Sequence, residues 1–216
     1  MSVANGAIPQ EETKTIFSIL PAQFPSVDGK IKTKEFLDAA SGAVTLVDRF
    51  GKVFSPVTYD MNGNIRKLSQ KYEEDTENNE YLEDMILKEQ QGGQGLATDA
   101  LMWLRRALHF LSSFFQRIVD DTNSERCSPD LTGFLKTAYS ETLEEYHGWL
   151  GTQLFNVLSR FTPNRRHLIY TLALDRHNRD SNVINDMQNY NQKMIACVRY
   201  LTHFYKTNNL ESYAAV

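Results

Sequence analysis

Residues 59–68 read YDMNGNIRKL, and the fold turns on how that stretch is taken. Asn62-Gly63 favours a reverse turn, because both residues tolerate positive φ at little steric cost. Against it, Asp60, Asn64 and Lys67 fall at i, i+4 and i+7, the spacing of one helix face. Val57, Ile65, Leu68 and Tyr72 keep a helical period around them, and Pro56 suits a first helical turn. Gly63 inside a helix costs about 1 kcal/mol relative to alanine, which packing can override. A turn leaves three solvated polar residues, whereas a helix brings a carboxylate, an amide and an amine to one spot.

Working outward, strand signals are nearly absent, and Pro and Gly sit between long segments of helical periodicity. Upstream lie EETKTIFSIL (11–20), ended by Pro21 and Pro25, and KTKEFLDAASGAVTLVDRF (32–50), closed by Gly51. Downstream lie ENNEYLEDMILKEQQ (77–91), ended by Gly92-Gly93, and TDALMWLRRALHFLSSFFQRIVDD (98–121). In the latter, Leu101, Leu104, Leu108, Leu111 and Phe115 form one stripe and Trp103, Ala107, Phe110 and Phe114 a second. So broad an apolar surface predicts a central helix. Residues 130–161 fit one bent helix or two, with Gly148 and Gly151 as bend points. RRHLIYTLAL (165–174) and NVINDMQNYNQKMIACVRYLTHFYK (182–206) complete an all-α chain of about eight helices.

The 216 residues, 41% of them hydrophobic, fit one domain, since domains run to roughly 100–200 residues. The expectation is a single domain over 1–216, with 1–10 flexible. A formal net charge of −4 offers no global field for nucleic acid. Cys127 and Cys197 are too few for a disulfide scaffold and lack zinc spacing, and the five histidines show no HExxH. DMNGN begins like a calcium loop, but its glycine is at the fourth position and Lys71 stands where the bidentate glutamate belongs. No nucleophile elbow, P-loop or dinucleotide fingerprint is present. The basic clusters NRRH (164–167) and RHNR (176–179) read as solvated surface. With no secretory leader pattern in MSVANGAIPQEETK, a cytoplasmic chain without a membrane span is expected.

Some polar groups stand among apolar ones. His147, with Leu143, Leu150 and Leu154 at helical spacing, reads as the buried face of its helix. Trp149, two residues on and about 200° around that helix, would point the other way, towards a neighbouring helix or a bilayer interface. Asp99 reads as a first-turn acid with Thr98 as N-cap.

Together, VFSPVTYDMNGNIRKL, ALMWLRRALHFL, YHGWL and a C-terminus with Tyr213 ahead of Val216 resemble the glycolipid transfer protein family. The resemblance implies a two-layer all-α sandwich without enzymatic activity or cofactor. It implies a monomer that carries a single glycosphingolipid and touches a membrane surface transiently. Asp60, Asn64 and Lys67 match the family's headgroup-binding residues, Trp103 the tryptophan that stacks on the first sugar, and His147 the histidine that hydrogen-bonds the ceramide amide. Asp99 stands where glycolipid-transferring members have an apolar residue and phosphoceramide-binding members an arginine, so it bears on headgroup choice. Val53, Phe54, Val57, Leu104 and Leu108 are candidates to line an apolar chain pocket. Phe110, Phe155 and Leu158 join them, with plain core as the competing reading for these eight, and Tyr213 and Val216 of the C-terminus are added to the same pocket. A sensor or adaptor that binds glycolipid without bulk transfer is the alternative function, and an all-α enzyme a remote third.

Overall fold

The computed structural model describes residues 13–93, 95–122, 124 and 126–212. Among these it is all-helical: α1 (Ile16–Ile19), α2 (Thr33–Asp48), α3 (Ser55–Glu73), α4 (Leu82–Gln91), α5 (Leu96–Thr122), α6 (Thr132–Thr142), α7 (Trp149–Leu158), α8 (Arg165–Leu172) and α9 (Asp180–Thr207). The Asn62-Gly63 ambiguity resolves as helix. Both residues lie inside α3, which carries Pro56 in its first turn and buries Met61, Ile65 and Leu68. A Cβ on Gly63 would meet only the end of Arg66, so the glycine answers no close packing there.

The apolar breadth of 98–121 is borne out by the position of α5, which packs against α9, α3, α6 and α4, while α2 packs on α3. Such two-layer packing buries the stripes of α5 from several sides. Phe50 meets Phe54 and Phe114 edge-on, each with centroids 5.8 Å apart, and Phe17 and Phe24 both lie 5.5 Å from Tyr190. Gly51 has φ 117°, a conformation that suits glycine where the chain leaves α2 for α3.

The structure settles one local alternative and corrects one expectation. Of the two readings of residues 130–161 the two-helix one holds: α6 and α7 are joined by a short 3-10 turn (Glu144–Tyr146), with Gly148 extended at the N-cap of α7. The start of α5 is capped from outside itself. Helix α5 begins at Leu96, so Thr98 is already within it, and the buried Glu89 carboxylate accepts from the Ala97 and Thr98 N–H groups at 2.8 Å each. An acid at a helix N-terminus meets both the unpaired N–H groups and the positive dipole end.

Candidate functional site

Helical geometry places Asp60, Asn64 and Lys67 along one side of α3. Asn64 is only 5% exposed and its amide donates to the Asp60 carboxylate at 3.2 Å, whereas Asp60 and Lys67 are exposed, so the face is buried at its centre and solvated at its two ends. Asp60 keeps an open edge to solvent, yet burial among its neighbours raises its pKa, with Lys67 and then His147 pulling it back down. The opposing charges show that α3 and His147 share one electrostatic environment.

His147 sits there for a different reason from the helix-face argument. It ends the 3-10 turn before α7 in an extended conformation (φ −94°, ψ 127°), and Leu150 and Leu154 are exposed. Its position comes from packing instead. A Cβ on Gly151 would lie 3.1 Å from both Cβ and Cγ of His147, so the residue read as a bend point is a glycine against which the imidazole lies. Burial lowers the His147 pKa, Asp60 opposes this and Arg106 reinforces it, which favours the neutral ring. Nδ1 is 2.9 Å from the Tyr139 hydroxyl. In the tautomer with its proton on Nε2, the ring accepts from Tyr139 and keeps one donor for a partner. The Trp103 indole, from α5, lies nearly parallel to the imidazole, at 19° with centroids 6.2 Å apart.

Three further residues complete the surroundings of Trp103. The Arg106 guanidinium carbon lies 4.9 Å from the indole centroid and 3.6 Å from the Tyr146 ring centroid. Arg106 Nη2 donates to Glu211 at 2.8 Å and to the Ser212 carbonyl, while Arg105 reaches the same carboxylate at 2.7 Å. Sequence reasoning passed over Arg106, Tyr146 and Glu211. The available signal was a pair of arginines inside the most apolar helix, where a buried charge needs a partner.

Asp99 is exposed, one turn from Trp103 on α5. Of the proposed pocket residues, Leu104, Leu108, Phe54 and Leu158 are buried, whereas Val53, Val57, Phe110 and Phe155 are partly buried and packed against the core. Phe155 bridges outward to the site: it stacks on Tyr139 with centroids 3.6 Å apart and meets Phe110 edge-on at 6.2 Å. Tyr213 and Val216 lie outside the described residues. Helix α7 turns an apolar face to solvent. Trp149 is 73% and Leu150 75% exposed, followed by Leu154, Val157 and then Phe161. Among the described residues no helix is long and apolar enough to cross a membrane, and no group of His, Cys, Asp and Glu is arranged to hold a metal.

The helical sandwich thus sets the polar residues of α3 near His147, with the Trp103 indole parallel to its imidazole. The chain belongs to the glycolipid transfer protein family, whose model matches residues 31–174. It is 30% identical over 217 residues to Pleckstrin homology domain-containing family A member 8 of Bos taurus, a match covering 94% of this chain and 41% of that protein. The chain thus spans about two fifths of the length of that relative. It is also 30% identical to the glycolipid transfer protein of Aureobasidium melanogenum, with 74% of this chain and 80% of that protein covered. Among solved structures it resembles that of FAPP2, described as selecting simple glycosphingolipids using the GLTP fold. The TM-score is 0.83 and the identity 28%, over 94% of this chain and 100% of the other. Mouse ceramide-1-phosphate transfer protein shares the fold at 18% identity, with a TM-score of 0.78 over 91% of this chain and 98% of the other.

Proposed function

We propose that the chain binds one glycosphingolipid, holds its sugar at Asp60, Asn64, Lys67, Trp103 and His147, and moves it between membranes. The observation that carries this reading is the convergence of α3, α5 and the turn before α7 on one spot. A sugar presents hydroxyls that need donors and acceptors together, which an Asp, an Asn and a Lys supply. Its C–H face is apolar enough to lie on an indole. A ceramide amide offers one N–H and one C=O, matched by the Asp60 carboxylate and a neutral His147. Burying the chains removes the obstacle to transfer, since each CH₂ left in water costs about 0.8 kcal/mol.

A neutral headgroup is favoured over a phosphate. Recognition of phosphate uses arginine or lysine, because paired donors and positive charge offset desolvation of the anion. Lys67 is a single cation beside Asp60, and Arg105 and Arg106 already share the Glu211 carboxylate. Mass spectrometry of lipid co-purified with the protein, followed by vesicle-to-vesicle transfer of labelled galactosylceramide, sulfatide and ceramide phosphate, tests the proposal. Galactosylceramide should move fastest. Comparable rates for all three would refute the argument from charge, and binding without transfer would favour a sensor.

A further inference from the structure

We propose that Arg106 is a positioning residue that fixes the Trp103 indole, and that Glu211 latches the segment after α9 onto it. This rests on the reading of Trp103 as the sugar platform. Arg106 is 2% exposed, one of the largest fully buried side chains, and its guanidinium contacts both the Trp103 and Tyr146 rings. Only Nη2 has hydrogen-bond partners, Glu211 and the Ser212 carbonyl; Nε and Nη1 have none among the described residues. The buried positive charge is offset by the negative faces of the two rings, so the guanidinium and the rings hold one another's orientation.

Glu211 ties three parts together. It accepts from Arg105 and Arg106, adjacent on α5, and Arg105 also donates to Thr202 of α9 at 2.8 Å. Two guanidinium ions are thus buried against a single carboxylate whose side chain is 8% exposed. Buried ion networks seldom repay their desolvation in stability, and their better-attested use is to fix one arrangement among several. Here the arrangement fixed is the tilt of Trp103, next to Tyr146, which immediately precedes His147. Arg106 therefore bears on both sides of the site, and residues 211–212 bear on Arg106. Lysine in its place would keep the charge and the attraction to Glu211 but lose the planar cation that lies on the rings.

The test uses a Trp149→Phe background, in which Trp103 is the only tryptophan. Indole emission, acrylamide quenching and affinity for glucosylceramide and for ceramide without a sugar are measured with and without Arg106→Lys. Arg106→Lys should shift Trp103 emission to the red and raise its quenching. It should lower affinity for the glycosylated lipid roughly tenfold, with ceramide binding changed less than about twofold. Glu211→Gln should act in the same direction. An equal loss for both lipids marks a merely structural residue and overturns the proposal, as does an unchanged sugar preference with unshifted emission. Trp103→Ala is the control for the platform itself. Loss of sugar preference there but not in Arg106→Lys overturns the latch alone, whereas retention in Trp103→Ala overturns the platform reading and the latch with it.

Discussion

Helices α3 and α7 invert the usual rule of polar outside and apolar inside, in opposite senses. In α3 an asparagine is buried and a carboxylate is desolvated enough to raise its pKa. In α7 a tryptophan and two leucines face water, with only Leu158 of the helix buried. Each inversion costs stability in an isolated chain, since buried polar groups need partners and exposed apolar area is not removed from water. The two differ in what would make them ordinary: on the proposed reading a sugar would meet the polar groups of α3, and an apolar surface such as a bilayer interface would cover the face of α7.

The sharpest way to break the comparison is to make the α3 side ordinary. Asp60→Val removes the acceptor for Asn64 and for any ligand N–H, and each group left unpaired in a partly dry site costs about 1–3 kcal/mol. With several groups affected, glycolipid transfer should fall by roughly a hundredfold or more while circular dichroism stays helical. Normal transfer by folded Asp60→Val or Trp103→Ala protein would falsify the assignment of the site.

Making α7 ordinary should cost less. Trp149→Ala removes an exposed indole, so stability should change by no more than about 0.5 kcal/mol. The melting temperature should then move by less than about 2 °C. If the face docks on membranes, burying that side chain contributes roughly 1.5–3 kcal/mol, and vesicle association should weaken by about tenfold or more. Sedimentation with vesicles and thermal melting separate the outcomes: a large drop in melting temperature with unaltered sedimentation would mean the indole packs against protein.

The two helices also mark what could be read from sequence. Helices α2, α3, α5 and α9 were legible because their apolar residues repeat with the helical period and face inward, and the polar trio on α3 followed from that period. Helix α7 was legible as a helix but its exposure was not, because periodicity counts apolar residues without recording which way they face. The spacing of Leu150 and Leu154 therefore predicts a buried His147 on their helix, whereas an extended residue at Gly148 separates the histidine from the helix altogether. Thr98 misled for a related reason. Capping signals are read locally, and the group that caps α5 is Glu89, at the end of the preceding helix. Resemblance to the family supplied the identities of Trp103 and His147, but the supports of each, Arg106 and Gly151, become visible only once the chain is folded.

Asp99 sharpens the comparison from the α5 side. It is exposed one turn before Trp103, and a carboxylate about 4–6 Å from an anionic headgroup would repel it by roughly 1–4 kcal/mol, depending on the local dielectric. Asp99→Leu should therefore raise sulfatide transfer relative to galactosylceramide by several-fold. An unchanged ratio would leave Asp99 as a first-turn acid serving the α5 dipole.

The smallest expected effect is on pH, where Asp60 and His147 act with opposite signs. Burial lowers the His147 pKa from 6.5, so the unfolded chain binds the more protons just below that value and stability falls as pH falls through it. Burial raises the Asp60 pKa from 3.8, so just above that value the folded chain binds the more protons, and this contribution to stability is lost as pH rises through the raised pKa. His109 is also lowered by burial and adds to the first slope without touching the second. Denaturation midpoints taken between about pH 7.5 and pH 5 should accordingly decline, and His147→Gln should flatten part of that decline, with His109→Gln flattening the rest. Asp60→Asn should remove the opposing contribution that sets in above pH 3.8 and, by taking away the charge that holds the His147 pKa up, steepen the decline due to His147. Bound glycolipid should steepen the decline if it seals His147 further from water, since a more desolvated imidazole resists protonation more strongly. A His147→Gln variant whose pH profile matches the parent, with and without lipid, would place the imidazole in solvent and remove it from the site.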